Sequence, residues 1–174
     1  MLRDPAKREK AFGILVSSHK RRLYWHIRTM VLDHDDADDV LQEVFVRIFR
    51  NIDNFRGDSA LFTWMFRIAT NESLSFLKSK ANRMKMSLES LQQELVLNLR
   101  SDPYFDGDEL ELKLQEAIIS LPQKQQQVFR MKYLQEMKYE EISEILETSV
   151  GSLKASYYHA RKKIEKRVLK TIEK

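Results

Sequence analysis

The sequence predicts an all-α fold: two small helical domains joined by a linker, the second containing a helix-turn-helix. Three observations carry this expectation. Apolar residues recur at helical spacing through most of the 174 residues, and no segment alternates with the period of a strand. Only 4 Gly and 3 Pro punctuate the chain, too few for a turn-rich fold. The periodicity breaks once, over residues 84–107, which places the domains at 5–83 and 108–172.

The first helix is expected over residues 5–32, with Asp4 as cap and Pro5 at the first helical position. Its irregular apolar face is Phe12, Leu15, Val16, Leu23, Ile27 and Met30. The second begins near Asp36. Its stripe is Val40, Leu41, Val44, Phe45, Ile48, Phe49 and Ile52, a strongly helical spacing. Asp35, Asp36, Asp38 and Asp39 stand at its start, where carboxylates complement the helix dipole. A turn at residues 54–59, marked by Gly57, leads into a third helix over 60–83. Leu61, Trp64, Met65, Ile68, Leu74 and Leu77 form its buried side. Within 84–107, Leu88, Leu91, Leu95 and Leu99 hint at a short helix inside the linker.

The second domain is expected to hold helices at 110–119, 123–134, 139–147 and 151–170. Residues 148–150 turn the chain between the last two, tight enough for a helix-turn-helix. If Leu153 centres the buried face of the last helix, Tyr157, Ala160 and Ile164 lie within about 40° of it. Gly151, Ser152, Ala155, Tyr158, His159 and Lys162 then face outward, with Lys154, Arg161 and Lys163 on the flanks. Small and polar residues first and basic ones after suit a helix that enters the major groove by its N-terminal end.

The net charge of +4 is mild but uneven. Residues 150–174 carry eight Lys or Arg against Glu165 and Glu173, and residues 76–86 four basic and no acidic residues. Residues 87–111 carry seven Asp or Glu against Arg100. Two basic segments separated by an acidic one suggest two nucleic-acid contacts and a connector.

Other classes find less support. The absence of cysteine removes disulfides, thiolate metal sites and cysteine nucleophiles, and permits a reducing cytoplasm, the expected location. The N-terminal segment lacks an apolar signal core, and no run of 18 apolar residues exists, so no membrane association is expected. His19, His26, His34 and His159 have no metal-ligand spacing, and no Gly-rich phosphate loop or nucleophile–base set is present. Residues 35–39 formally match a paired-aspartate magnesium motif of all-α prenyl synthases, but no second acidic motif faces them, and a helix-start cluster explains them. No enzyme and no cofactor are expected.

Residues 121–161 read LPQKQQQVFRMKYLQEMKYEEISEILETSVGSLKASYYHAR. This stretch resembles the C-terminal promoter-binding domain of the extracytoplasmic-function (ECF) sigma factors of bacterial RNA polymerase. Residues 36–57, DADDVLQEVFVRIFRNIDNFRG, resemble the polymerase-binding helix of that family's N-terminal domain. Residues 63–83, TWMFRIATNESLSFLKSKANR, resemble its upstream-promoter helix. The resemblance covers nearly the whole chain in the family's order, and implies a sigma factor that binds core polymerase and directs promoter-specific initiation.

The resemblance implies specific roles. Asp39, Gln42, Glu43 and Val46 would grip the clamp helices of the polymerase's largest subunit. Phe55, Arg56, Asp58, Ser59 and Leu61 would line a pocket for a base flipped out of the single-stranded −10 element. Arg67, Asn71, Lys78 and Lys80 would meet its backbone or base edges. Ser152, Lys154, Ala155, Tyr158, Arg161 and Lys162 would meet the duplex −35 element. The acidic linker would thread toward the catalytic cleft. The chain departs from the pattern at Ser156 and His159, where the family often carries Arg, and at Ser73 and Ser75. Both DNA-reading surfaces are therefore expected to be weak. An anti-sigma factor or an auxiliary DNA-targeting partner is expected, and the rival reading is a stand-alone helix-turn-helix regulator.

Overall fold

The computed structural model describes residues 4–5 and 7–173, and the described residues form α-helices joined by turns, with no strand. The chain divides into two compact units, Met1–Phe76 and Leu77–Lys174. The division falls inside the third helix rather than after it.

The first unit starts with α1, Arg8–Val31. It begins three residues later than expected, and Asp4 caps no helix there. Its carbonyl instead accepts the Lys7 N–H at 3.1 Å in a turn before the helix. Leu32, in the left-handed region at φ 63°, ends it. Helix α2 spans His34–Asn51, and Asp33 is its cap, Oδ1 accepting the Asp36 N–H at 2.9 Å. A 3-10 turn at Ile52–Asn54 follows, and α3 runs over Leu61–Arg83. Leu23 and Ile27 of α1, Val44 and Ile48 of α2, and Met65 and Phe66 of α3 are wholly buried.

Polar residues, His26, Thr70 and Ser73 among them, complete this core. His26 is buried and its Nε2 lies 2.8 Å from Thr70 Oγ1. The Thr70 hydroxyl donates to the Phe66 carbonyl at 2.7 Å, so the His26 Nε2–H is the donor to Thr70. Ser73 is fully buried and returns its hydroxyl to the Ala69 carbonyl at 2.8 Å. The expectation that Ser73 weakens a DNA-reading surface is therefore corrected: it faces the core.

The second unit contains α4, Leu88–Asn98, capped by Ser87. Helices α5, Glu109–Ile119, and α6, Gln123–Phe129, follow. A π-helical turn, Arg130–Leu134, extends α6. Then come α7, Tyr139–Leu146, and α8, Val150–Ile172. Ala117, Ile118, Leu121, Phe129, Ala160 and Ile164 form one core, with Leu114, Leu134, Tyr157 and Val168 around it. The Phe129 ring stacks on Tyr133 at 5.0 Å and on Tyr157 at 5.9 Å.

Within the segment expected as a linker, α4 packs on α5 with Leu91, Leu95, Val96 and Leu99 buried. Gln92 joins them by donating to Gln126 Oε1 at 3.2 Å, while Gln126 Nε2 donates to the Leu121 carbonyl at 2.8 Å. Burying such amides is tolerable because each finds partners. Arg130 is also buried, and burial pushes its guanidinium down to about 10; Nη1 donates to Gln115 Oε1 at 3.3 Å. Among the described residues, no helix is long and apolar enough to cross a membrane.

Candidate functional site

The outer face of α2 is the first candidate surface. Val40, Leu41, Val44, Phe45 and Ile48 turn inward, which leaves Asp39, Gln42, Glu43 and Val46 exposed. Phe49 departs from the expected stripe: it is exposed, with the Arg8 guanidinium 4.5 Å above its ring. Its ring also packs edge-on against Phe12 of α1, centroids 5.0 Å apart, so it stands at the margin between the α1 contact and the outer face. Arg47 reaches α3 and pairs with Glu72 at 3.0 Å.

The turn between α2 and α3 is the second. Gly57 adopts φ 81°, a conformation that disfavours side chains. Around it, Arg56 and Asp58 are exposed, and Phe55, Ser59 and Leu61 are half-buried. The Phe55 ring lies 5.3 Å from Trp64, itself half-buried, so Trp64 supports the turn. Further along α3, Arg67 is half-buried and Asn71 exposed. Lys78, exposed, and Lys80, half-buried, fall by their contacts in the second unit.

The third is the α7–α8 pair. The Lys138 N–H donates to Glu141 Oε2 at 3.0 Å and so fastens the start of α7. Its end is a left-handed residue, Glu147, at φ 51°. Ser143 then closes the turn: its carbonyl accepts the Thr148 N–H at 3.2 Å, and its hydroxyl donates to the Thr148 carbonyl at 2.6 Å. Ser149 caps α8 by accepting the Ser152 N–H at 3.2 Å. Ile142, Ile145 and Leu153 are buried and fix the two helices together. The sequence flagged residues 148–150 as a turn but not the part played by Ser143.

On α8, Lys154, Ala155, Tyr158, Arg161 and Lys162 are exposed, and Ser152 is half-buried. Lys162 Nζ stands 5.1 Å from the Tyr158 ring. Two α6 residues that sequence reasoning passed over line the same side: Lys124 donates to Ser152 Oγ at 3.3 Å, and Gln125 accepts from Lys163 at 3.2 Å. Arg161 Nε donates to Glu165 Oε1 at 2.8 Å, a bond that holds its guanidinium charge above the ordinary range.

Residues 15–83 match the family model "Sigma-70 region 2", and residues 111–164 match "Sigma-70, region 4". The ECF RNA polymerase sigma-E factor of Escherichia coli K12 is 30% identical over 168 residues, covering 92% of this chain and 87% of that protein. The RNA polymerase sigma-H factor of Pseudomonas aeruginosa is 29% identical over 166 residues, covering 91% and 86%. In fold, the chain matches the sigma factor RpoE solved with the anti-sigma factor NepR from Bartonella quintana, with TM-score 0.68, 20% identity, and 92% and 98% of the two chains covered. It also matches CnrH, solved with the cytosolic domain of CnrY, with TM-score 0.65, 22% identity, and 92% and 88% covered. The class these define is a two-region transcription initiation factor. The chain belongs to the ECF sigma factors of RNA polymerase.

Proposed function

We propose that three surfaces of this sigma factor divide the work of initiation. Asp39, Gln42, Glu43 and Val46 on α2 bind the clamp helices of the largest polymerase subunit. A polar and acidic face on a helix whose other side is buried offers register and orientation to a basic partner. Phe55, Arg56, Asp58, Ser59 and Leu61 receive a base of the single-stranded −10 element, with Arg67, Asn71, Lys78 and Lys80 along the strand. Ser152, Lys154, Ala155, Tyr158, Arg161 and Lys162 on α8 meet the duplex −35 element. In this reading residues 5–83 serve polymerase and the −10 element, residues 84–107 connect, and residues 108–172 serve the −35 element.

The observation that carries it is the locked α7–α8 turn. It fixes the start of α8 through Leu153; Ala160 and Ile164 pack with Ala117, Ile118, Leu121 and Phe129, and the opposite side of α8 stays exposed and basic. That side has few groups for reading base edges, since Ser156 and His159 cannot make the bidentate contact that Arg makes to guanine. Each such contact is worth about 1–3 kcal/mol of a specificity margin of about 4–10 kcal/mol. The factor is therefore assisted by a partner held at a DNA site, since tethering raises local concentration without new base contacts. The likeness to RpoE, solved with the anti-sigma factor NepR, supports control by an anti-sigma factor as well.

Reconstituted transcription with core polymerase and this chain alone tests the reading. Weak initiation at many sites, sharpened by a DNA-bound partner, is the expected result. Strong initiation tied to one −35 sequence would refute the need for help, and no association with core polymerase would refute the whole.

A further inference from the structure

Helix α1 carries a surface that none of these three roles uses. Residues 10–32 hold five basic residues, Lys10, Lys20, Arg21, Arg22 and Arg28, and no acidic one. Arg28 is buried and its guanidinium donates to the Leu32 carbonyl. Lys10, Lys20, Arg21 and Arg22 are exposed. Among them stands Trp25, 51% exposed, with Ile14, 55% exposed, further up the helix. At 100° per residue, Ile14, Ser18, Arg21 and Trp25 fall within about 60° of one another. The stripe thus joins one large aromatic face, one aliphatic side chain and a guanidinium, with Arg22 at its edge.

This stripe is not isolated from the −10 turn. The Arg22 guanidinium lies 3.9 Å from the centroid of the Phe62 ring and 5.7 Å from that of Phe66. Phe62 follows Leu61, the first residue of α3. The basic edge of α1 therefore begins where the turn from Phe55 to Leu61 ends, and Arg22 stacks across the junction.

We infer that this face of α1 is a stacking and phosphate platform for single-stranded DNA continuing from the −10 element. Trp25 offers the ring on which a base stacks, and Arg21 offers the cation for the backbone. The inference rests on the −10 role proposed above. Stacking on an aromatic side chain is sequence-tolerant, because every base has a π-face, and flanking basic residues supply the salt-sensitive attraction. The charge argues for the occupant: a stripe with basic residues and no carboxylate complements a polyanion. Its contact with the start of α3 argues for the strand that the −10 turn holds. A protein partner with an acidic surface is the alternative that the test separates.

The test uses holoenzyme assembled from core polymerase and the full chain. Dye-labelled non-template-strand oligonucleotides carry either the −10 element alone or that element extended by about six nucleotides on one side or the other. The wild type is expected to bind one extended strand roughly tenfold tighter than the short one, with a steeper salt dependence. The Arg21→Ala, Trp25→Ala double variant should lose that gain while keeping its helical circular dichroism, its polymerase affinity and its affinity for the short strand. Trp25→Tyr, which keeps a ring, should retain most of the gain. An undiminished gain in the double variant overturns the inference, as does wild-type binding of the short strand with no gain on extension. Loss of polymerase affinity in the double variant overturns it too, since the face would then serve a protein. Failure of the wild-type holoenzyme to bind the short strand overturns the −10 role itself, and this inference with it.

Discussion

Arg161 and Glu165 are bound to each other one turn apart on α8, Nε to Oε1 at 2.8 Å. Both are exposed, so the pair adds little to stability. Under the proposed −35 role its effect falls on binding, because the guanidinium proposed to meet DNA is shared with a carboxylate of its own helix. Glu165→Gln is expected to raise affinity for duplex DNA roughly two- to fivefold and to steepen the salt slope by about 1. Titrations at several salt concentrations read both. Arg161→Ala in the same background should cancel the gain; a gain that survives would show that Glu165 acts by general repulsion.

Charge reversal at Asp39 and Glu43 is expected to abolish holoenzyme assembly. Both side chains are exposed on α2, so the fold should survive, and the helical circular dichroism should be unchanged. Size-exclusion with core polymerase reads the outcome. Co-elution of the reversed variant would remove this face from the interface.

Glu147 holds φ 51° at the end of α7, a conformation that costs a side-chain-bearing residue about 1–2 kcal/mol. Glycine relieves that strain but loses more entropy on folding. Glu147→Gly should therefore stabilise the second unit by a net amount of about 0.5–1 kcal/mol, a rise of a few degrees in Tm. A lower Tm would mean that the Glu147 side chain contributes more than its backbone costs.

Limited trypsin digestion should cut first after Arg83 or Lys85. Both are exposed, and Lys85 adopts φ 53° in the turn between α3 and α4. Helix α4 itself should resist, because Leu91, Leu95, Val96 and Leu99 are buried against the rest of its unit. Mass spectrometry identifies the fragments; residues 88–98 hold no Lys or Arg, so a parallel digestion with chymotrypsin probes α4, and an initial cut after Leu91, Leu95 or Leu97 would show that it undocks readily.

The legible parts of this chain were those where apolar spacing alone decides the structure. The α2 stripe from Val40 to Ile48 and the α8 anchors Leu153, Ala160 and Ile164 are buried as their periodicity required. What escaped depends on polar partners distant in sequence or on single-residue backbone choices. Ser73 and His26 look like surface residues until Ala69 and Thr70 satisfy them inside the core. The hint of a helix in Leu88 to Leu99 lacked its reason to dock, because Gln92 and Gln126 lie 34 residues apart. The π-helical turn shifts one residue, as the Gln135 N–H bonds to the Arg130 carbonyl at 3.1 Å, and a period of 3.6 cannot register it. Nor does the sequence show that Glu165 occupies Arg161, since the same spacing serves solvated pairs generally.

The ring cluster of Phe129, Tyr133 and Tyr157 lies in a unit that has no tryptophan. Both tryptophans of the chain, Trp25 and Trp64, belong to the first unit, while Tyr104, Tyr133, Tyr139, Tyr157 and Tyr158 belong to the second. The two units thus carry different intrinsic chromophores. Excitation at the red edge of the absorption band reports on the first alone, and the tyrosine band is dominated by the second. A single thermal melt followed in both channels separates their transitions without labels, and coincident midpoints would show that the two units unfold together.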